Sequence, residues 1–173
     1  AVCREGRRGS GGGVLGLIGA GADVNRTMSD GERPLFMAAQ EGHEAVVRAL
    51  IEAGADVNKT RDVDGRTPLF TAAQKGHGEV VRALMEAGAD INKATKKGAT
   101  PLQVAAGKGD KAVMRALIEA GADVNKASND GGTPLVVAAQ EGNEAVVRAL
   151  FEAGAAINKT MNDGQTPLLV AAE

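Results

Sequence analysis

The pentapeptide Gly-Ala-Asp-Val-Asn at residues 21–25 returns at 54–58 and 121–125, and in altered form at 88–92 (Gly-Ala-Asp-Ile-Asn) and 154–158 (Gly-Ala-Ala-Ile-Asn). Successive copies begin 33, 34, 33 and 33 residues apart. A fixed period of this length marks a chain built from stacked supersecondary units, each burying its apolar face against its neighbours instead of in one central core.

Composition agrees with that reading. Hydrophobic residues make up 43% of the 173, which argues against disorder, but the only aromatics are Phe36, Phe70 and Phe151. Alanine, valine and leucine must do the packing, which suits closely approaching helices better than a β-sandwich. Twenty basic and 22 acidic residues leave a formal charge of −2, so no basic field is present to attract nucleic acid. The single cysteine, Cys3, excludes an internal disulfide framework and fits a reducing compartment, the cytoplasm or the nucleus. No apolar run is long enough to cross a bilayer, so no membrane insertion is expected. Arg4, Arg7 and Arg8 precede an apolar stretch from Val14 to Ala22, as in a secretory leader. Glycines interrupt that stretch and it runs straight into the first pentapeptide, so a degenerate repeat helix is expected there.

Residues 64–90 show how one unit is written. Asp64-Gly65 is a turn pair, Thr67 stands at a helix N-cap, and Pro68 takes the first helical position, where its missing N–H costs nothing. A first helix follows through Leu69, Ala72 and Ala73 and ends at Gly76 in a left-handed conformation. His77 opens a second helix through Val80, Val81 and Leu84, which Gly88 closes. In the second helix at 44–52 only Glu44, Arg48 and Glu52 are polar, one narrow stripe at i, i+4 and i+8. The remainder is far wider than the apolar face of an ordinary surface helix. Such a helix must be covered by its own partner and by neighbours on both sides.

Taken in order, Gly-x-Thr-Pro-Leu, Ala-Ala, Gly-His, Val-Val and Gly-Ala-Asp-Val-Asn resemble the ankyrin repeat. Thr-Pro-Leu stands at 67–69, 100–102, 133–135 and 166–168, with Arg33-Pro34-Leu35 as its first copy. The resemblance covers about 21–173 and implies an all-α solenoid of stacked antiparallel helix pairs with β-hairpin-like finger loops. Four complete pairs are expected, at about 34–53, 68–87, 101–120 and 134–153. Residues 1–20 are expected to hold a decayed, Gly-rich second helix alone, capped by Ser10 and frayed by its glycines. The sequence stops inside a further first helix. Neither end supplies a polar capping unit, so the chain reads as a portion of a longer array. Family members carry histidine after Thr-Pro-Leu, where it ties loops together; here those positions are Phe36, Phe70, Gln103, Val136 and Leu169. Apolar packing is the expected substitute. The interval from Asn58 to Pro68 is one residue longer than its counterparts, which predicts a bulged finger, and Gly107 should weaken its helix.

Other motifs have plainer explanations. Gly11-Gly12-Gly13-Val14-Leu15-Gly16 matches a dinucleotide-binding pattern but lacks the preceding strand. His43 and His77 share a repeat position with Ser10, Asp110 and Asn143, whose common property is helix capping and not metal affinity. Asn25, Asn58 and Asn158 begin glycosylation sequons but are expected to fold back onto their own arms. Arg26, Lys59, Lys93, Lys126 and Lys159 place one cation in each repeat. This ladder reads first as a solvated edge and second as a docking strip for an acidic partner. Lys93, Lys96 and Lys97 cluster with no acid between Asn92 and Thr100 and are the best single candidate for an electrostatic contact.

No arrangement of nucleophile, base or paired carboxylates converges, so neither catalysis nor a cofactor or metal is expected. The resemblance implies a protein-interaction scaffold, monomeric or associating end to end, that binds another protein along its finger tips and first helices. The finger candidates are Ser29, Asp30, Glu32, Val63, Asp64, Arg66, Lys93, Lys96, Lys97, Asn129, Asp130, Asn162, Asp163 and Gln165. The helix candidates are Gln40, Glu41, Gln74, Lys75, Lys108, Gln140 and Glu141. The alternative is a regulatory or spacer segment of a larger enzyme, channel or receptor. Residues 41–60 and 141–160 agree at 16 of 20 positions, which fits recent duplication.

Overall fold

The computed structural model describes residues 1–9, 11–28 and 31–171. Among them every regular element is a helix: α1 Val2–Arg8, α2 Gly11–Gly19, α3 Pro34–Glu41, α4 Glu44–Glu52, α5 Pro68–Lys75, α6 Gly78–Glu86, α7 Pro101–Lys108, α8 Lys111–Glu119, α9 Pro134–Gln140, α10 Glu144–Glu152 and α11 Pro167–Val170. The chain divides into two compact units, Ala1–Asp90 and Ile91–Glu173.

In the first unit the first helices α1, α3 and α5 pack in sequence, each second helix packs on its own first helix, and α2, α4 and α6 form a second row. The second unit repeats the scheme with α7, α9 and α11 in one row and α8 and α10 in the other. Each unit is thus a stack of helix pairs with sequential contacts, as the period requires. The four pairs expected at 34–53, 68–87, 101–120 and 134–153 are present, within a residue or two of those bounds. One expectation needs correcting: the second helix expected within residues 1–20 does not stand alone, because α1 precedes α2 and packs on α3. Its sequence, Val-Cys-Arg-Glu-Gly-Arg-Arg, lacks both Thr-Pro-Leu and Ala-Ala, so no motif marked it. Val2 and Cys3 nonetheless supply a buried face. The Ser10 cap lies outside the described residues.

The Ala-Ala pairs let the first helices approach: Ala38, Ala39, Ala72, Ala73, Ala105 and Ala106 are wholly buried. Val46, Val47 and Leu50, with Val80, Val81 and Leu84, fill the space behind them in the first unit. Val113, Met114 and Leu117, with Val146 and Leu150, do so in the second. Gly107 is an accommodation to packing, since a methyl group there would come within 2.8 Å of Val137 on α9.

The recurring pentapeptide has a physical explanation. In each copy the glycine takes positive φ just past a second helix, as at Gly54, and the next amide bonds back into the last turn: Gly54 N to Ile51 O at 2.9 Å and Ala55 N to Leu50 O at 2.9 Å. This closes the helix with a Schellman pair, and Ala55, like Ala89, Ala122 and Ala155, is buried beneath it. The aspartate then accepts from the asparagine amide two residues on, as Asp56 does from Asn58 N at 2.9 Å.

Thr67, Thr100, Thr133 and Thr166 cap the first helices by accepting from the third residue of each. Arg33, the divergent first copy, makes no such side-chain bond. Among the described residues one buried hydroxyl stands unsatisfied, that of Thr71 on α5, where the equivalent residues are Met37, Val104 and Val137. Thr71→Val keeps the shape and removes the orphan, so urea denaturation should show a gain of about 1 kcal/mol. Gly42 has φ 78, and a methyl group there would meet the His77 ring at 2.7 Å. Gly42→Ala should therefore lower stability by at least about 1 kcal/mol in the same measurement.

Candidate functional site

The repeats are joined by side chains that satisfy a neighbour's backbone. His43 Nε2 donates to Arg7 O at 3.0 Å and His77 Nε2 to Gln40 O at 3.0 Å, each answering a carbonyl near the end of the preceding first helix. Asn143 does the same with its amide, donating to Ala106 O at 3.0 Å and Gly107 O at 2.9 Å. The expectation that this position caps its own helix is therefore corrected for His43, His77 and Asn143. It holds for Asp110, which accepts from Val113 N at 3.0 Å. The reason is the donor: an aspartate carboxylate has no hydrogen to give a carbonyl, whereas the equally short asparagine has two.

The arm asparagines are a second correction. The side chains of Asn25 and Asn58 do not fold back on their own arms but reach forward into the next repeat. Asn25 donates to Gly54 O at 3.1 Å and accepts from Asp56 N at 2.9 Å, and Asn58 makes the same pair with Gly88 O and Asp90 N. In the second unit Asn92 and Asn125 do likewise with Gly121 and Asp123 and with Gly154 and Ala156. The cation ladder is partly drawn into the same frame, for Lys126 Nζ donates to Asn92 O at 3.0 Å and Lys159 Nζ to Asn125 O at 2.8 Å.

The finger loops of the two units are held by different chemistry. In the first unit Arg61 makes a two-point contact with Asp64 and also reaches Glu32 at 3.3 Å, while Arg7 reaches Glu32 at 3.0 Å. Arg66 pairs with Asp64 at 2.9 Å and donates to Gln74 Oε1 at 2.9 Å. The guanidinium carbon of Arg61 lies 5.2 Å from the Phe36 ring centre, and that of Arg66 lies 5.5 Å from Phe70. Where the resemblance expects histidine, phenylalanine thus works through stacked arginines. The longer finger closes over four residues, Gly65 N to Arg61 O at 2.8 Å, and leaves Val63 exposed at its tip.

In the second unit Gln103 takes the tying role. Its amide nitrogen donates to Gly132 O at 2.5 Å and Lys126 O at 3.3 Å, and its oxygen accepts from Thr100 N at 2.8 Å. Successive fingers bond through the main chain, Asn129 N to Lys97 O and Asn162 N to Asp130 O, both at 3.0 Å. The side chains add Asn129 Nδ2 to Lys96 O at 3.0 Å and Asn162 Nδ2 to Asn129 O at 2.8 Å.

These bonds sort the candidate residues. Ser29 and Asp30 lie outside the described residues. Glu32 is corrected: it is buried and paired with arginines, so it is part of the frame and does not present an open reading surface. Asp64, Arg66 and Gln74 are half-buried and joined through Arg66, which brings finger and helix candidates together. Asn129 and Asn162 are exposed yet bonded to neighbouring fingers. Asp130 accepts from Ser128 Oγ and Gly132 N, and these bonds hold its carboxyl below the usual range. Asp163 accepts from Gln165 N at 3.0 Å. Glu41, Val63, Lys75, Lys93, Lys96, Lys97, Lys108, Gln140 and Glu141 are exposed, while Gln40 is half-buried with its carbonyl given to His77. Sequence reasoning missed Arg7, Arg33, Arg61 and Ser128 as finger-holding residues. Arg33 donates to Thr60 O at 3.2 Å, and no single-residue signal marks such a cross-loop reach.

A family model described as "Ankyrin repeats (3 copies)" matches residues 7–95 and 89–161. The chain belongs to the ankyrin repeat family. Comparison with curated proteins gives no match. The ankyrin family is typically non-catalytic, and its repeats generally serve protein–protein interaction. Among the described residues no helix is long and apolar enough to cross a membrane. The departures of this ankyrin chain lie in its finger chemistry, and that chemistry is open to a direct test. Partial burial pushes the Asp64 carboxyl up, but hydrogen bonds from the Arg61 side chain and the Arg66 amide outweigh it, leaving the group below the usual aspartate range. A lowered folded value adds stability above the ordinary aspartate pKa and loses it as pH falls through the folded value. Asp64→Asn should therefore lower the thermal midpoint at neutral pH, and the gap to wild type should close below about pH 4.

Proposed function

We propose that this ankyrin repeat chain is a non-catalytic interaction scaffold whose finger tips and first-helix ends bind a protein partner. The observation carrying this reading is a division of labour among equivalent positions. Frame positions keep one chemistry from copy to copy and spend it on neighbours, as the arm asparagines and the capping threonines do. Finger and helix-end positions vary and face solvent, with Val63 at one tip, Lys96 and Lys97 at another, and Lys75, Lys108 and Gln140 ending successive first helices. A surface that differs from repeat to repeat on a constant frame lets a partner be read in register, one repeat at a time.

Val63 is 72% exposed on a finger otherwise held by ion pairs, and is the natural apolar anchor of the first unit. With no tyrosine or tryptophan in the chain, binding energy must be spread over several repeats. Proximity labelling with the full chain, compared with Val63→Asp and with Lys75→Glu, tests the reading. The expected outcome is a set of neighbours reduced severalfold by each change, with thermal melts unaltered because both side chains stand clear of the core. Neighbours that survive every surface change would count against it.

A further inference from the structure

One finger of the second unit breaks the rule its neighbours follow. At 128–132 the turn is built on Asp130, whose carboxylate accepts from Gly132 N at 3.2 Å, and at 163–165 Asp163 accepts from Gln165 N. Both are Asx turns, the cheapest way to hold such a loop. The equivalent residue in the finger at 95–99 is Lys97, whose side chain has no acceptor. The turn is held instead by Thr95, whose hydroxyl accepts from Ala99 N at 3.2 Å. A turn acid has been replaced by a cation, and its structural work has moved to a neighbour.

The finger is nevertheless built to a fixed shape. Lys96 O and Lys97 O accept from Asn129, and Gly98 has φ 79 with the Asn129 backbone so close that a methyl group would lie 2.7 Å from its nitrogen. Cations on a backbone fixed in this way lose less freedom on meeting an anion than lysines on a loose loop. Charge along the second unit is also uneven. Residues 91–108 carry Lys93, Lys96, Lys97 and Lys108 with no acid, whereas the equivalent 124–141 carry Lys126 against Asp130 and Glu141, and 157–171 carry Lys159 against Asp163. The four lysines are exposed.

We propose that the finger at 93–98, with Lys108 at the far end of α7, docks an acidic segment of a partner protein; this rests on the interaction-scaffold reading above. The segment is extended and of limited length. Neighbouring repeats are spaced about 10 Å apart, which an extended chain covers in about three residues. Acidic side chains beyond that distance would meet Asp130, so the partner's chain turns neutral or basic there. Nucleic acid is the poorer fit, because its uniform charge would be repelled by the same acids.

A random twelve-residue peptide library selected on the folded chain tests this. Enriched peptides are expected to carry a short cluster of Asp and Glu. The affinity of one such peptide should fall about tenfold in Lys93→Gln/Lys96→Gln/Lys97→Gln, remain in the triple Lys→Arg variant, and decline steeply with added salt. Lys97→Asp, which restores the turn acid, should lose the peptide while keeping or raising the thermal midpoint. Amide NMR shifts at 93–98 on adding the peptide to wild type give a reading that needs no variant. Enriched peptides without acidic bias, or with affinity indifferent to all these changes, would overturn the acidic finger while leaving the scaffold reading intact. Enrichment of no peptide would count against both, and displacement of the peptide by an oligonucleotide at lower concentration would overturn the proposal in favour of nucleic acid.

Discussion

The dependence of each repeat on its neighbour is first a matter of unsatisfied backbone. A short helix leaves carbonyls open at its C-terminus, and a two-residue link such as Gly42-His43 answers only some of them, with His43 N bonding back to Ala38 O at 3.0 Å. Here a neighbouring repeat answers, the next one through His43, His77 and Asn143 and the preceding one through Asn25, Asn58, Asn92 and Asn125. The apolar core follows the same logic, since second helices such as α4 and α6 are too widely apolar for one partner to cover. Within each unit, order propagates lengthwise because every pair is finished by another.

On this frame the fingers are where the two units differ. The first unit ties its loops with a chain of guanidinium and carboxylate groups lying over Phe36 and Phe70, while the second ties them with Gln103 and a run of asparagines bonded to main chain. The ionic version involves Asp64, whose charge responds to acid; the ties between fingers in the second unit run through the amides of Gln103, Asn129 and Asn162, with Asp130 and Asp163 holding only their own turns. The same loop position is therefore held by interactions of different salt and pH sensitivity. That freedom is what allows one finger to give up its turn acid for a lysine without losing shape.

Much of this was open to reading from the residues. The period, the Thr-Pro-Leu caps and the closing glycines are local signals, set by hydrogen bonds within a few residues, and they placed the pairs from α3 to α10 closely. The first helix was missed because α1 has neither cap motif nor alanine pair, and only its contact with α3 makes it a repeat element. Roles were harder than positions. Glu32, Lys126 and Lys159 look like ordinary surface charges in sequence, yet each is spent on a bond to a residue 25 to 34 positions away.

By itself the sequence determined the helix-pair repeat, its length and its stopping points, because propensity, capping and turn chemistry act within one unit. Only the tertiary structure decided which polar side chains serve the frame and which remain for a partner. That choice depends on reach and direction across neighbouring repeats: an asparagine that fits a turn equally fits a forward bond, and only the stacked loop beside it selects between them.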